Sequence, residues 1–165
     1  MLRGMYSVPK AYNEPIKSYA PGSPEKQAVK KELAKMRSKV VDIPMFIGGK
    51  EITTDDKREI NPPHDHQHLL GYYNYGTEKH VHMAINAALE ARASWQSLPW
   101  DQRASIFLKA ADLVSGPYRA KINVATMLAQ SKNVFQAEID AACEMADFFR
   151  FNVQFMTEIY KNQPI

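Results

Sequence analysis

The run 133–160 constrains this chain more than any other stretch, because no glycine or proline interrupts it before Pro164. Ile139, Ala142, Ala146, Phe149, Val153, Met156 and Tyr160 recur along it at alternating intervals of three and four. Such spacing draws one apolar stripe along a helix laid against a core. At about 1.5 Å per residue the helix would run roughly 40 Å, long enough to cross a domain. Phe148, Phe151, Phe155 and Ile159 add a second apolar line, so the helix is expected to be covered on more than one side. The rest of the chain offers few elements to cover it, and an isolated chain should therefore expose a large apolar patch.

Glu138 breaks the pattern. At about 100° per residue it falls on the side of Ala142, Met145, Phe149 and Met156. A carboxylate there must find a partner, reach solvent at the helix start or face a polar pocket. Two readings stay open. One is an acid favoured by the positive end of the helix dipole. The other is a carboxylate that faces a ligand.

The 165 residues suit one domain with a core of its own. A formal net charge of +3, with lysine and arginine scattered, argues against nucleic acid as a partner. No apolar run reaches the length of a bilayer span, so no membrane partner is expected. A single cysteine excludes an internal disulfide and suits a reducing compartment. Arg3 and Lys10 precede the first acid, Glu14, but Pro9 and Pro15 oppose an amphipathic targeting helix. The expectation is no cleaved signal and a cytoplasmic protein, with the mitochondrial matrix as the alternative.

Taken in order, residues 1–22 read as an extended arm punctuated by Pro9, Pro15 and Pro21 and closed by Gly22. Ser23-Pro24-Glu25 starts a helix with a hydroxyl cap, a first-turn proline and an acid beside the dipole. Val29, Leu33, Met36 and Val40 give that helix an apolar line to about residue 41, and Pro44 ends it. Lys26, Lys30, Lys31, Lys35, Arg37 and Lys39 make its other faces basic, which fits either a solvated face or an acidic surface. Met45-Phe46-Ile47 and Lys50-Glu51-Ile52-Thr53 read as a hairpin about Gly48-Gly49. Residues 58–61 and 69–75 are further strand candidates on either side of Pro62-Pro63. Thr77 caps the next helix, with Val81, Ala84, Ile85, Ala88, Ala91 and Trp95 inward. Another follows Pro99, with Ile106, Phe107, Ala110, Leu113 and Val114 inward, and stops at Gly116-Pro117. Residues 118–130 form one more helix before the long one. The fold class is α/β, mostly helical, with a small sheet or hairpin of short strands.

His64-Asp65-His66-Gln67-His68 could place three imidazoles on one strand face, but Pro63 precedes the run and no fourth ligand is fixed, so no metal site is expected. Cys143 lies mid-helix beside Glu144, where a thiolate has no positive or N-terminal support, and reads as a packed thiol. No Gly-x-Gly-x-x-Gly, phosphate-binding Gly-Lys-Ser/Thr loop or nucleophile elbow occurs. Residue by residue, the chain assembles no catalytic, cofactor or metal site.

Ile47-Gly48-Gly49-Lys50-Glu51, Asn61-Pro62, the capped helix ending at Trp95, Asp101-Gln102-Arg103 and Leu108-Lys109-Ala110-Ala111-Asp112-Leu113 resemble the start of the aldehyde dehydrogenase superfamily. Asn13-Glu14-Pro15, Pro21-Gly22-Ser23-Pro24-Glu25, Gln136-Ala137-Glu138-Ile139-Asp140-Ala141 and Asp147-Phe148-Phe149-Arg150-Phe151-Asn152 are similar to its delta-1-pyrroline-5-carboxylate dehydrogenase branch. The resemblance covers nearly the whole chain but implies about the first third of such an enzyme. It assigns residues 1–22 to an N-terminal arm and 23–165 to an incomplete NAD-binding domain. It implies an NAD-dependent oxidation of L-glutamate gamma-semialdehyde to L-glutamate in proline catabolism, by a homo-oligomer acting on a small aldehyde. The nucleophile, general base and cofactor loops of the family lie in later segments, so this chain alone is expected to be inactive. One functional residue carries over: the family's Gln-Ala-Glu-Ile-Asp glutamate, near the substrate pocket, matches Glu138. Ser131, in Gln130-Ser131-Lys132, departs from a glycine common in the family. The alternatives are a non-catalytic truncated product that binds family subunits and, more weakly supported, a metal-binding or basic-surface module.

Overall fold

The computed structural model describes residues 7–162. The first six residues of the arm, and with them the signal question, lie outside the described residues, as does Pro164. From Ser7 to Ala20 the arm has no regular structure and runs across the later helices. Helix α1 spans Pro24–Arg37, and the Ser23 side chain accepts from the Lys26 amide at its start.

The first helix is shorter than its apolar spacing suggests. Val41–Ile43 is not helix tail but strand β1, parallel to β5 (Gly71–Asn74) in the register Val41 to Gly71. The β-branched residues of this stretch and the constraint that Pro44 places on Ile43 favour extended backbone. Strand β4 (Lys57–Ile60) pairs antiparallel on the other side of β5, giving the order β1-β5-β4. The hairpin forms as expected: β2 (Met45–Ile47) pairs with β3 (Lys50–Ile52), and Gly48 and Gly49 both take positive φ in the turn.

Helices α2 (Glu78–Ser97), α3 (Trp100–Ser115) and α4 (Arg119–Gln130) follow, then α5 (Val134–Ala137), a π turn (Glu138–Cys143) and α6 (Glu144–Lys161). The last three are one continuous helical run, the long helix the sequence predicts. A capping box between Asn133 and Gln136 starts it. Among the described residues, two small cores hold the molecule. Tyr19, Val29, Leu70, Val124 and Leu128 gather where α1 packs on α4 and the sheet. Ala111, Val114 and Ala146 mark the close approach of α3 and α6.

That approach corrects the inward face expected for α3. Ala104, Ala111 and Val114 are buried, whereas Ile106 is 50% and Phe107 41% exposed. Alanines let two helix backbones come together, and larger side chains are displaced to the flanks, where Phe107 meets Trp95 and Phe149 edge-on or tilted. Helix α2 forms over the expected residues with Thr77 and His80 in a capping box, yet none of its side chains is buried. Its apolar side is left outward because the β2 hairpin and the Trp95–Phe107 contact with α3 cover little of it. The second line of the long helix is likewise uncovered, with Phe148, Phe155 and Ile159 exposed.

Candidate functional site

The arm and the last two helical elements meet at a buried cluster of charges centred on Glu138. A π turn widens the helix by one residue, so positions five apart return to one side, whereas an α-helix would set them about 140° apart. Glu138 and Cys143 thereby both point inward. The same turn rotates Ile139 and Met145 outward, to 46% and 42% exposure, off the stripe that α-helical spacing assigns them. π turns inside α-helices concentrate at functional sites.

Glu138 has no accessible surface. One carboxylate oxygen accepts from the Lys17 amide at 2.8 Å, and the other from the Tyr19 hydroxyl at 2.6 Å and Asn123 Nδ2 at 2.8 Å. The Arg119 guanidinium spans both through Nε, at 3.1 and 3.2 Å, and binds the first through Nη2. Arg119 continues to the carboxylate of Glu14 at 2.6 Å, and Arg150 takes the other Glu14 oxygen at 2.8 Å. Asp147 fixes the arm beyond it, accepting from Asn13 Nδ2 at 2.8 Å and from the Glu14 amide at 2.6 Å. The Arg150 guanidinium stacks over the Tyr12 ring at 4.4 Å. Two guanidiniums and two carboxylates thus alternate with side chains no more than 12% exposed.

Burial by itself would push the Glu138 carboxyl up. The hydrogen bonds from Arg119, Tyr19, Lys17 and Asn123 outweigh it and hold the group at about 2. Burial, then the hydrogen bond to Glu138 and that carboxylate's charge, raise the Tyr19 hydroxyl well above its ordinary value, so it stays a donor. Burial opposes the Arg119 charge, but the two carboxylates raise its pKa, so it stays ionised. Tyr19 also holds φ at 52°, a left-handed conformation costly for a residue with a Cβ. Its hydrogen bonds to Glu138 and Asn123, and its ring edge against Phe135, fix that conformation.

Of the two open readings of Glu138, the dipole reading does not describe its place. The carboxylate lies a full turn past the helix start and is satisfied by protein donors rather than by solvent. Cys143 is buried, and its thiol is raised to about 11 by burial and by the Glu138 charge, against the opposing influence of Arg119. It is a packed thiol. The histidine run is a loop in which His64 Nδ1 meets Ser131 Oγ at 2.7 Å, and no cluster suited to a metal ion occurs among the described residues. Arg119, Asn123 and Tyr19 are missed by sequence reasoning. Arg119 and Asn123 carried a signal, standing four apart among apolar residues at the start of α4. Tyr19 carried none, since nothing in the arm's pattern shows which helix it crosses.

Residues 51–165 match the family model described as the aldehyde dehydrogenase family. This chain belongs to the aldehyde dehydrogenase family. Delta-1-pyrroline-5-carboxylate dehydrogenase of Agaricus bisporus is 48% identical over 96% of the chain, and the match takes up 29% of that protein. The mitochondrial delta-1-pyrroline-5-carboxylate dehydrogenase of Bos taurus is 44% identical over 93% of the chain and 27% of its own length. The crystal structure of the Mycobacterium tuberculosis delta-pyrroline-5-carboxylate dehydrogenase bound with NAD superposes with a TM-score of 0.96 at 45% identity, covering 99% of this chain and 31% of that one. The chain therefore spans less than a third of the length of these aldehyde dehydrogenase relatives.

Gly48 and Gly49 do not form a phosphate cradle for a dinucleotide: they are used in a hairpin turn rather than ahead of a helix. Among the described residues no helix is long and apolar enough to cross a membrane.

Proposed function

We propose that this chain is the N-terminal part of an NAD-dependent dehydrogenase that oxidises L-glutamate gamma-semialdehyde to L-glutamate in proline catabolism. The observation that carries the reading is the agreement, over nearly the whole chain, with enzymes of one branch in both sequence and backbone. Residues 1–22 serve as an arm, and 23–165 as the opening of an NAD-binding domain completed by further polypeptide. NAD and the aldehyde bind mainly to residues outside this chain, which alone is inactive. The whole enzyme acts as a homo-oligomer. The mitochondrial designation of the Bos taurus relative favours the matrix over the cytoplasm.

Within this division of labour Glu138 is the substrate-side residue. With no accessible surface in this segment, it serves by fixing Arg119, the arm and the π turn, and a direct contact with substrate would require its partners to rearrange. A second reading, a non-catalytic product that docks on family subunits, is favoured by the uncovered apolar faces of α2 and α6.

An antibody against residues 25–39 distinguishes the two in the source cells. A band about three times heavier than this chain, carrying semialdehyde-dependent reduction of NAD, is expected. A band only at the chain's own mass would leave the docking reading, and turnover by the 165-residue chain alone would refute the claim that its own residues are insufficient.

A further inference from the structure

The basic end of α1, which the enzyme reading leaves unused, borders a cleft. A cavity of about 330 Å³ opens between α1, α4 and the β1-β5-β4 sheet, away from the Glu138 cluster. Its walls are Met36, Val41, Ile60, Leu70, Ala125 and Leu128. Leu70 and Leu128 belong to the buried core, so the base of the cleft is rigid and apolar. Lys35, Lys39 and Lys121 stand on the rim. Glu32 neutralises Lys35 at 3.0 Å, whereas Lys39 and Lys121 have no ion-pair partner among the described residues.

We propose that this cleft binds an amphiphilic monocarboxylate, its hydrocarbon tail on the apolar base and its carboxylate between Lys39 and Lys121. The size sits at the lower end of the range for ligand pockets and suits a tail of about eight to ten carbons. Long lysine side chains can lie along apolar walls while keeping their ammonium groups in water, where a carboxylate can meet them. A phosphate or nucleotide does not suit a site whose base is apolar. A cationic ligand is disfavoured by the two unpaired lysines. The inference stands apart from the proposed enzyme function and needs no activity.

Decanoate, kept below its aggregation concentration, is the probe, and the 165-residue chain carries carbon-13 methionine methyls. The Met36 methyl should shift and saturate with a half-point below about 1 mM, the weak end of specific binding. Met145, on the exposed face of α6, should shift without saturating over the same range, the behaviour of non-specific contact with an uncovered apolar face. The surface double variant Lys39→Gln/Lys121→Gln, and decanol in place of decanoate, should each weaken binding about fivefold or more, the scale of losing exposed charge pairs. A diazirine-bearing decanoate gives a second readout that survives self-association: its label should fall on peptides of α1 and α4 and be competed by decanoate. Absence of saturation at Met36, a Met145 shift that saturates in parallel, label on α6 that decanoate competes as well as label on α1 and α4, or equal binding by decanol and by the double variant would each overturn the proposal.

Discussion

Replacing Glu138 by glutamine removes one charge from the centre of the cluster while keeping its shape. The amide oxygen can take the place of the oxygen bound by Lys17 and Arg119. The amide NH2 then faces Tyr19 and Asn123, and Asn123 has an unpartnered Oδ1 that can turn to accept from it. The shape is therefore kept, and the losses are the buried charge and the acceptor that the second oxygen offers to Tyr19 and to Arg119 Nε. Such losses cost about 3–5 kcal/mol, and the low end applies because Arg119 keeps Glu14. The depressed carboxyl points the same way. A carboxyl at about 2 rather than 4.5 when folded corresponds to about 3 kcal/mol. The depressed folded value means that this stabilisation is complete above about 4.5 and is lost as pH falls through about 2. About 3 kcal/mol is roughly a hundredfold in the equilibrium for arm release. Because the Lys17 amide binds Glu138 directly, tryptic cleavage after Lys17 should accelerate by that order in Glu138→Gln at pH 7. Urea unfolding of the wild type should show the same loss between pH 5 and pH 2. A variant within about 1 kcal/mol of wild type, with unchanged cleavage, would refute the view that the Glu138 charge ties the arm to the helices.

Four further outcomes follow from the packing. Cys143, buried and raised to about 11, should react with a thiol reagent at pH 8 at least about a hundredfold more slowly in the native chain than in guanidinium, and prompt native labelling would contradict its burial. Ser131 closes α4 at φ 56°, so Ser131→Gly should raise stability by up to about 1 kcal/mol despite losing the exposed bond to His64, and Ser131→Val should lower it; thermal midpoints decide. Ala146→Leu should cost about 1–3 kcal/mol in the urea midpoint, because Ala146 and Ala111 are both fully buried where α3 meets α6. The isolated chain should bind a hydrophobic dye strongly through the uncovered faces of α2 and α6, and a dye-silent chain with a sharp cooperative melt would show those faces to be covered.

Local chemistry made much of this structure legible in the sequence. Ser23-Pro24-Glu25, Thr77 and Gly116-Pro117 mark helix ends through backbone hydrogen bonding and proline geometry, which act within a few residues. Gly48-Gly49 likewise determines its hairpin, because its turn needs positive φ. Helical spacing in the run 133–160 predicts one long helix, and the misplaced carboxylate within it points to the heart of the site. Ser131 carries no such mark in the sequence, and only the structure shows that it takes the left-handed cap conformation that suits glycine.

Other features depended on what meets what across the fold. Strand β1 exists because β5, some thirty residues later, offers it a parallel partner. The inward face of α3 is set by how closely α6 approaches, which apolar periodicity cannot measure. The π turn shifts the stripe after Glu138, a change of register invisible to a rule that assumes 3.6 residues per turn. Above all, Glu138 by itself showed only that a carboxylate on an apolar face needs compensation. Arg119, Glu14, Tyr19 and Asn123 come from distant parts of the chain, and only the tertiary structure brings their donors and charges within hydrogen-bonding range of it. Sequence dictates the need for a partner because desolvating a charge is costly wherever it happens, and the fold alone decides which groups supply it.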